Sequence, residues 1–180
     1  MHACFKAAPV KARPLSGIGV LSVRSNGETL KIYREPGVGR LAELPPAKLP
    51  GIMPQLAAAD GTVCVVVLSQ RPDWLRIILN DGEDGGWVAR RRGMSFHPWE
   101  EFLHGRSFSL SAGLRQEQYQ LRSEPLPEAE IVAPVERGER LQGGAVAGNW
   151  IQVRTGTGQE GWLRWRDDNG RLMIGIPAPD

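Results

Sequence analysis

Residues 149–153 read NWIQV, and residues 161–163 read GWL. Residues 73–77 read DWLRI and residues 86–88 read GWV, so the same pair of motifs occurs twice in the chain. Each pair places a tryptophan at the start of one apolar run and a Gly-Trp step at the start of the next. Repetition on this scale predicts two structural units of the same kind.

The repeat extends upstream of these motifs. LKIYREP at 30–36 parallels YQLRSEP at 119–125, and each ends in a proline that predicts a turn after a strand. Pro36 and Trp74 are 38 positions apart, whereas the corresponding spacing in the second unit is 25. The difference predicts an insertion of about a dozen residues near 44–51, in a loop where added length costs little.

The composition favours an all-β fold. The 180 residues include 22 Gly and 14 Pro, which supply the frequent turns that short strands need. A net charge of +2 gives no strong field for attracting nucleic acid or an anionic membrane. Because β domains of about 60 residues are marginally stable alone, we expect the two units to pack together.

The repeated pattern resembles the bacterial Src-homology-3-like domain family, whose members combine Leu-x-Val-Arg-x-x-Pro, a variable loop, Gly-x-Trp and a final Gly-Trp step. The second unit fits this pattern with LRSEP at 121–125, GNWIQV at 148–153 and GWL at 161–163. The first unit departs from it, since Tyr33 stands where Arg is usual and the apolar run VCVVVL at 63–68 is long. The resemblance implies two tandem small β-barrels.

We therefore predict an all-β chain of two Src-homology-3-like barrels and a connector. The predicted parts are a flexible N-terminal linker (1–15), a first barrel with an enlarged loop (16–92), a connector (93–118) and a second barrel (119–180). Asn26-Gly27 lies between two alternating runs and predicts a β-hairpin at the start of the first barrel. PWEEFLHG at 98–105 predicts one short helix, with Pro first, acids in the first turn and Gly just past the end. SFSLS at 107–111 alternates as a strand, leading into the second barrel or bridging the two.

The tryptophans are the strongest candidates for a ligand site. By the resemblance, Trp74 and Trp150 stand where an indole lines a peptide groove in eukaryotic relatives. Tyr33 and Arg122 occupy equivalent positions beside the long loops, so they would line the same groove edge. An indole offers a rigid apolar surface and one N–H donor, which suits peptide recognition. The alternative is that the indoles stabilise the barrels or the interface between them.

Two further expectations concern burial and the choice of site. We expect Trp87 and Trp162 to be more buried than Trp74 and Trp150, because the Gly-Trp strand is taken to supply core side chains. We expect any ligand to bind at Trp150, because the proline-containing insert at 44–51 would lie across the first barrel and fill its site.

Nothing in the sequence indicates catalysis or a cofactor. The chain has three histidines and two cysteines, without a recognisable catalytic cysteine context or a Gly-x-Ser-x-Gly elbow. His97, Glu100, Glu101 and His104 share one face of the predicted helix, but one short helix supplies only half of a carboxylate metal site. A polar stripe beside buried Trp99 is the preferred interpretation, so no metal site and no enzyme activity are predicted.

No nucleic-acid partner is expected either. RRR at 90–92 is not accompanied by an aromatic stacking strand, and we interpret it as a basic strand end balanced by Glu83 and Asp84. Cys64 lies in the valine-rich run, where a small buried side chain is expected, and two cysteines are too few for a disulfide framework. The sequence shows neither an apolar run long enough for a membrane span nor the apolar centre of a secretion signal. A place in the cell envelope or periplasm follows from the resemblance alone.

Together these observations predict a non-catalytic binding or targeting module of the bacterial cell envelope. By the resemblance, its partner would be cell-wall peptide or an envelope protein. Two alternatives stay open: an accessory domain pair for a cell-wall hydrolase on another chain, and a structural scaffold with blocked grooves. The exposure of Trp74 and Trp150 separates binding from the scaffold.

Overall fold

The computed structural model describes residues 13–51, 61–80 and 82–175, which form two antiparallel seven-stranded sheets. The first sheet contains β1 (Gly19–Arg24), β2 (Leu30–Glu35), β3 (Val38–Leu44), β4 (Thr62–Arg71), β5 (Trp74–Ile78), β6 (Gly85–Ala89) and β7 (Met94–Pro98). The second contains β8 (Ser107–Leu110), β9 (Gln120–Arg122), β10 (Ile131–Pro134), β11 (Leu141–Ala147), β12 (Trp150–Thr155), β13 (Glu160–Arg164) and β14 (Ile174–Gly175). Helix α1 (Trp99–Leu103) joins the sheets, and short 3-10 helices lie at Pro46–Lys48 and Gln116–Gln118.

The same order of strands recurs in the two sheets. It is β3-β2-β6-β5-β4-β1-β7 in the first sheet and β10-β9-β13-β12-β11-β8-β14 in the second. Register shifts also recur at matching places, between β2 and β3 and between β9 and β10, and again between β4 and β5 and between β11 and β12. Both β7 and β8 come from the segment predicted as connector, and they belong to the first and second sheet respectively.

Neither sheet closes into a barrel within the described ranges, which differs from the closed barrels implied by the resemblance. The outermost strands are β3 and β7 in one sheet and β10 and β14 in the other. β7 covers the edge of β1 and leads directly into α1, while β14 covers the edge of β8. These added strands occupy the edges that closure would need.

The predicted hairpin at Asn26-Gly27 is wrong, because β1 and β2 are not neighbours. The turn itself is present: Gly27 has φ +84°, and the backbone N–H of Glu28 donates to Asn26 Oδ1 at 3.3 Å. β1 instead pairs with β4 and β7. Its side chains are apolar on both faces, and a place inside the sheet buries both, with Val20 on one side and Leu21 on the other.

The long apolar run in β4 has the same explanation. Alternate side chains of β4 enter two different cores, with Val65 on one face and Cys64 and Val66 on the other. The first-sheet core consists of Leu21, Val23, Leu30, Ile32, Leu49, Val63, Val65, Val67, Leu75, Ile77 and Val88. A strand buried on both faces reads as a continuous hydrophobic run rather than an alternating one.

The second core contains residues of both halves, and we call it the shared core. From the first half it takes Val20, Cys64, Val66 and Ile78; from the remainder it takes chiefly α1 and the inner face of the second sheet. Trp99 and Trp165 meet in it with ring centroids 5.2 Å apart. Trp99 Nε1 donates to the Ser16 carbonyl at 2.7 Å and Trp165 Nε1 to the Gly148 carbonyl at 3.0 Å, so both buried indoles keep a hydrogen-bond partner.

The predicted helix is present but short. α1 begins at Trp99, directly after Pro98, and buries Trp99, Phe102 and Leu103 while its two glutamates stay exposed. Gly105 follows it with φ +70°, the left-handed conformation that ends a helix. The helix therefore presents its apolar face to the shared core, as the interpretation of a polar stripe beside buried Trp99 requires.

A salt bridge ties the turn before β6 to the closing turn of the second sheet. The Arg171 guanidinium donates to the two carboxylate oxygens of Glu83 at 2.5 and 3.2 Å and to the Arg13 carbonyl at 2.6 Å. The Glu83 carboxylate raises the pKa of Arg171 above its ordinary value. Glu83 has φ +65°, a conformation that costs a glutamate energy, so tertiary contacts hold it there. Together with the shared core, this ion pair joins the two halves.

Candidate ligand-binding groove

The outer face of the second sheet carries the sequence-predicted site residues. Along β12, Ile151 and Val153 point into the shared core, so Trp150 and Gln152 face outward and are half-buried. This alternation follows from the two-residue period of a strand. Trp150 therefore reaches the surface at the start of its strand, as the sequence predicts.

The strand register sets which side chains are neighbours on this face. Trp150 lies opposite Arg164 on β13, and Gln152 lies opposite Trp162. On its other side, Trp162 lies opposite Arg122 of β9. The two indoles thus stand among guanidinium and amide groups.

A groove of about 480 Å³ opens beside Trp150, and we call it the Trp150 groove. It is lined by Glu117, Gln118, Gln120, Arg122, Pro127, Trp150, Arg164 and Asp168. A neighbouring depression shares Gln118, Arg164 and Asp168 with it and continues toward Arg13 and Met173. The structure therefore brings Trp150 and Arg122 together in one cavity.

Two arginines set the electrostatics of the Trp150 groove. Arg164 has its guanidinium carbon 5.4 Å from the Trp150 ring centroid and donates to Asp168 at 3.0 Å. Arg122 donates to the Ala129 carbonyl at 2.8 Å, a neutral acceptor. On the rim, Glu117 approaches Arg115 at 3.8 Å. The groove thus combines an aromatic surface with two cationic groups and the carboxylates of Glu117 and Asp168.

The equivalent face of the first sheet is arranged differently. Tyr33 lies opposite Trp87, as Arg122 lies opposite Trp162, so Tyr33 and Arg122 hold the same register position in the two sheets. Tyr33 makes an edge-to-face contact with Trp74, with ring centroids 5.6 Å apart. Two of the predicted site residues, Tyr33 and Trp74, therefore contact each other.

Residues 116–167 match the family model described as Bacterial SH3 domain. The match covers one copy of the repeat, and it supports an SH3-like fold for that part of the chain. It contains every residue that lines the Trp150 groove except Asp168, which follows it directly. The first sheet has the same strand order but lies outside the Bacterial SH3 match.

No curated protein matches the chain. Among solved structures, it is similar to NlpC1 from Trichomonas vaginalis, with 9% identity and a TM-score of 0.35 over 91% of this chain and 50% of that one. It is also similar to an NlpC/P60 family protein from Bacillus cereus ATCC 10987, with 20% identity and a TM-score of 0.24 over 65% of this chain and 39% of that one. The chain spans half or less of the length of these proteins.

Trp87 is more buried than Trp74 and Trp150, as predicted, whereas Trp162 is half-buried like them and is not the core side chain that was expected. Trp87 is 6% exposed, partly because the Arg71 guanidinium lies 4.6 Å from its ring centroid. Trp162, like Trp74 and Trp150, is half-buried. In the Gly-Trp step, the glycine is the residue that faces inward. A Cβ atom on Gly161 would lie 2.8 Å from Leu121 Cβ, so β9 lies close to β13 at this point. The tryptophan that follows must face outward.

The insert in the first long loop packs on the inner side of its sheet. Pro46 is buried at the start of a 3-10 helix, and Leu49 belongs to the first-sheet core. Tyr33 has the opposite orientation, because Leu30 and Ile32 of the same strand point into that core. Leu49 of the insert thus contacts the inner face and not the face that carries Tyr33. Residues 52–60 of this loop lie outside the described ranges.

The arginine cluster is not balanced in the way predicted. Glu83 pairs with Arg171, and Asp84 accepts a hydrogen bond from the Asn80 amide at 2.9 Å. Arg90 instead donates to the Gln70 side chain at 2.7 Å, and Arg91 donates to the Thr29 carbonyl at 3.0 Å. Arg90 is thus held by β4, and Arg91 is held by the segment before β2, where it also pairs with Glu28 at 3.4 Å.

Two other absences concern metals and membranes. His97 Nδ1 lies 3.8 Å from a Glu101 carboxylate oxygen, yet no group of three metal-ligating side chains is assembled within 13–51, 61–80 and 82–175. None of the helices in these ranges is long and apolar enough to cross a membrane. Cys64 is a buried free thiol of the shared core, and Cys4 lies outside the described residues.

Sequence reasoning missed six of the eight residues that line the Trp150 groove: Glu117, Gln118, Gln120, Pro127, Arg164 and Asp168. The signal for Arg164 was available, because it follows Trp162 by two positions and must share its face. Asp168 carries no such signal. It reaches the groove because a tight turn, in which the Gly170 N–H donates to the Asp167 carbonyl at 3.0 Å, reverses the chain after β13.

Proposed function

We propose that this chain is a non-catalytic binding module whose second sheet holds a peptide in the Trp150 groove. The proposed ligand is cell-wall peptide or an extended segment of a protein of the bacterial envelope. The observation that carries the proposal is that Trp150 and Arg122, predicted from the sequence, line one cavity together. The cavity lies almost wholly within the Bacterial SH3 match.

The chemistry of the groove suits a peptide. The half-buried Trp150 indole offers a rigid surface for an apolar side chain at low entropic cost. Gln118, Gln120 and the two arginines offer hydrogen-bonding groups around it, as peptide-binding grooves commonly do. An apolar contact with polar groups on its rim fixes both the position and the direction of a bound chain.

The proposal assigns binding to the second sheet and a structural role to the outer face of the first. Tyr33 and Trp74 contact each other, so the two predicted site residues of the first sheet pack against one another, whereas Trp150 has the Arg164 guanidinium beside it and lines an open groove. This observation favours the scaffold interpretation for the first sheet alone. An accessory role beside a cell-wall hydrolase on another chain is the alternative form of the same binding proposal.

Replacing Trp150 with Ala tests the proposal. We expect the affinity for soluble peptidoglycan fragments to fall by about 1 kcal/mol or more, which is about fivefold, because a central aromatic anchor is lost. Isothermal titration calorimetry measures the change, and thermal unfolding should show that the variant stays folded.

Trp74→Ala is the matched control, since Trp74 starts the equivalent strand of the first sheet. It should leave the affinity unchanged. Binding that is lost with Trp74→Ala and kept with Trp150→Ala would move the site to the first sheet. If the wild-type protein binds neither peptidoglycan fragments nor an envelope protein, the binding proposal is wrong and the structural-scaffold interpretation remains.

A further inference from the structure

The cationic groups of the Trp150 groove differ in how they are neutralised. Arg164 is mostly buried, with 21% of its side chain exposed, and its carboxylate partner Asp168 is 76% exposed. Arg122 has a backbone carbonyl as its hydrogen-bond partner and no salt bridge within the described part of the chain. One arginine thus has a loosely held carboxylate, and the other has no carboxylate in the described ranges.

We propose that the Trp150 groove binds peptides through their free C-terminal carboxylate, held between Arg122 and Arg164. This inference rests on the proposed function and names the chemical feature of the ligand that the groove selects. The Asp168 carboxylate occupies the place on Arg164 that the ligand's carboxylate takes when it binds. The side chain of the ligand's last residue then packs on Trp150.

The exchange of carboxylates is feasible because Asp168 is exposed, so water can solvate its carboxylate when it leaves Arg164. Arg164 is mostly buried, but it keeps a carboxylate partner because the ligand's carboxylate replaces that of Asp168. Arginine suits the replacement because its planar guanidinium matches a carboxylate with two parallel donors. The position of Arg164 over the Trp150 ring holds the guanidinium while its partner changes.

The balance of charge in the groove favours a single carboxylate over a polyanion. Glu117 and Asp168 line the groove with the two arginines, so the cavity contains both signs of charge. A phosphate chain would bring several negative charges into the groove that contains the Glu117 carboxylate, and like charges repel. A terminal carboxylate brings one charge, which replaces that of Asp168.

The experiment compares N-acetyl-alanyl-alanine as the free acid with the same compound as its carboxamide. Both lack a free amine, so they differ only in the terminal carboxylate. The titration is followed by the NMR resonance of the Trp150 indole N–H. The free acid should bind about tenfold or more tightly than the carboxamide, because the carboxamide lacks the charge-assisted hydrogen bond. The preference should weaken at high salt.

Three substitutions separate this proposal from a structural effect. Arg122→Gln should remove most of the preference for the free acid. Asp168→Asn should tighten binding of the free acid and leave the carboxamide unchanged, because it frees Arg164 of its competitor. Arg154→Gln is the control: Arg154 is exposed on the same strand as Trp150, pairs with Glu160 and lies outside the Trp150 groove, so the preference should persist.

Equal binding of acid and carboxamide would overturn the carboxylate proposal. If neither dipeptide binds while peptidoglycan fragments still bind in a Trp150-dependent way, the carboxylate proposal falls and the binding function stands. If the fragments also fail to bind, both fall. A weakened free-acid complex in the Asp168→Asn variant would also contradict the exchange of carboxylates.

Discussion

Replacing Trp165 with Ala is expected to lower the free energy of unfolding by about 3 to 5 kcal/mol, the range for truncating a large buried aromatic residue. Trp165 is 1% exposed and lies in the shared core against Trp99. The substitution removes the ring contact, leaves a cavity and frees the Gly148 carbonyl of its indole donor. Urea unfolding monitored by circular dichroism measures the loss.

The matched control for this prediction is Trp162→Ala. Trp162 is three positions earlier but half-buried on the outer face, so its removal should cost about 1 kcal/mol or less. Because the shared core contains side chains of both halves, Trp165→Ala should lower the unfolding midpoint of the whole chain in one transition. A larger loss from Trp162→Ala than from Trp165→Ala would contradict the assignment of the two indoles.

Replacing Gly161 with Ala is the second large effect that we expect, with a destabilisation of about 1 to 3 kcal/mol from overpacking. The added Cβ would lie 2.8 Å from Leu121 Cβ and 3.0 Å from the Arg122 carbonyl oxygen. Neither atom is the flexible end of a side chain, so β9 must shift away from β13. Thermal unfolding measures the effect on stability.

Gly156→Ala provides the control, since no atom lies within 4 Å of the Cβ that it would add. This variant should have nearly the stability of the wild type. Gly161→Ala should also weaken ligand binding, because Arg122 moves with β9. Equal stability of the two glycine variants would show that the contact between β9 and β13 accommodates a Cβ atom at position 161 without strain.

Local sequence patterns predicted the β class, the short helix after Pro98 and the strand that became β8. They failed where a partner strand decides the outcome. Asn26-Gly27 forms its turn, but β1 pairs elsewhere because its two apolar faces both require burial. The Gly-Trp step led to a similar error, because Trp162 was expected to supply a core side chain. Gly161 faces inward instead, since β9 lies close to β13 there, and the sequence around Trp162 does not indicate this.

The sequence likewise predicted only part of the candidate site. Repeat alignment placed Trp150 with Trp74 and Arg122 with Tyr33, and the register gives both pairs matching positions in the two sheets. Alignment could not show that Tyr33 and Trp74 contact each other, since this depends on side-chain packing across strands. It also could not find Asp168, which a chain reversal brings to the Trp150 groove.

The shared core between the two halves has a consequence for how such a chain can be rearranged during evolution. Val20, Cys64 and Val66 share an interior with Trp165, so side chains of the first repeat complete the interior of the second, whereas the first-sheet core is formed by the first repeat alone. A gene fusion that transferred only residues 116–167 would carry the Trp150 groove, except Asp168, without the first-repeat side chains of the shared core that pack behind it. A substitution at a shared-core residue of one repeat must therefore be accommodated by side chains of the other.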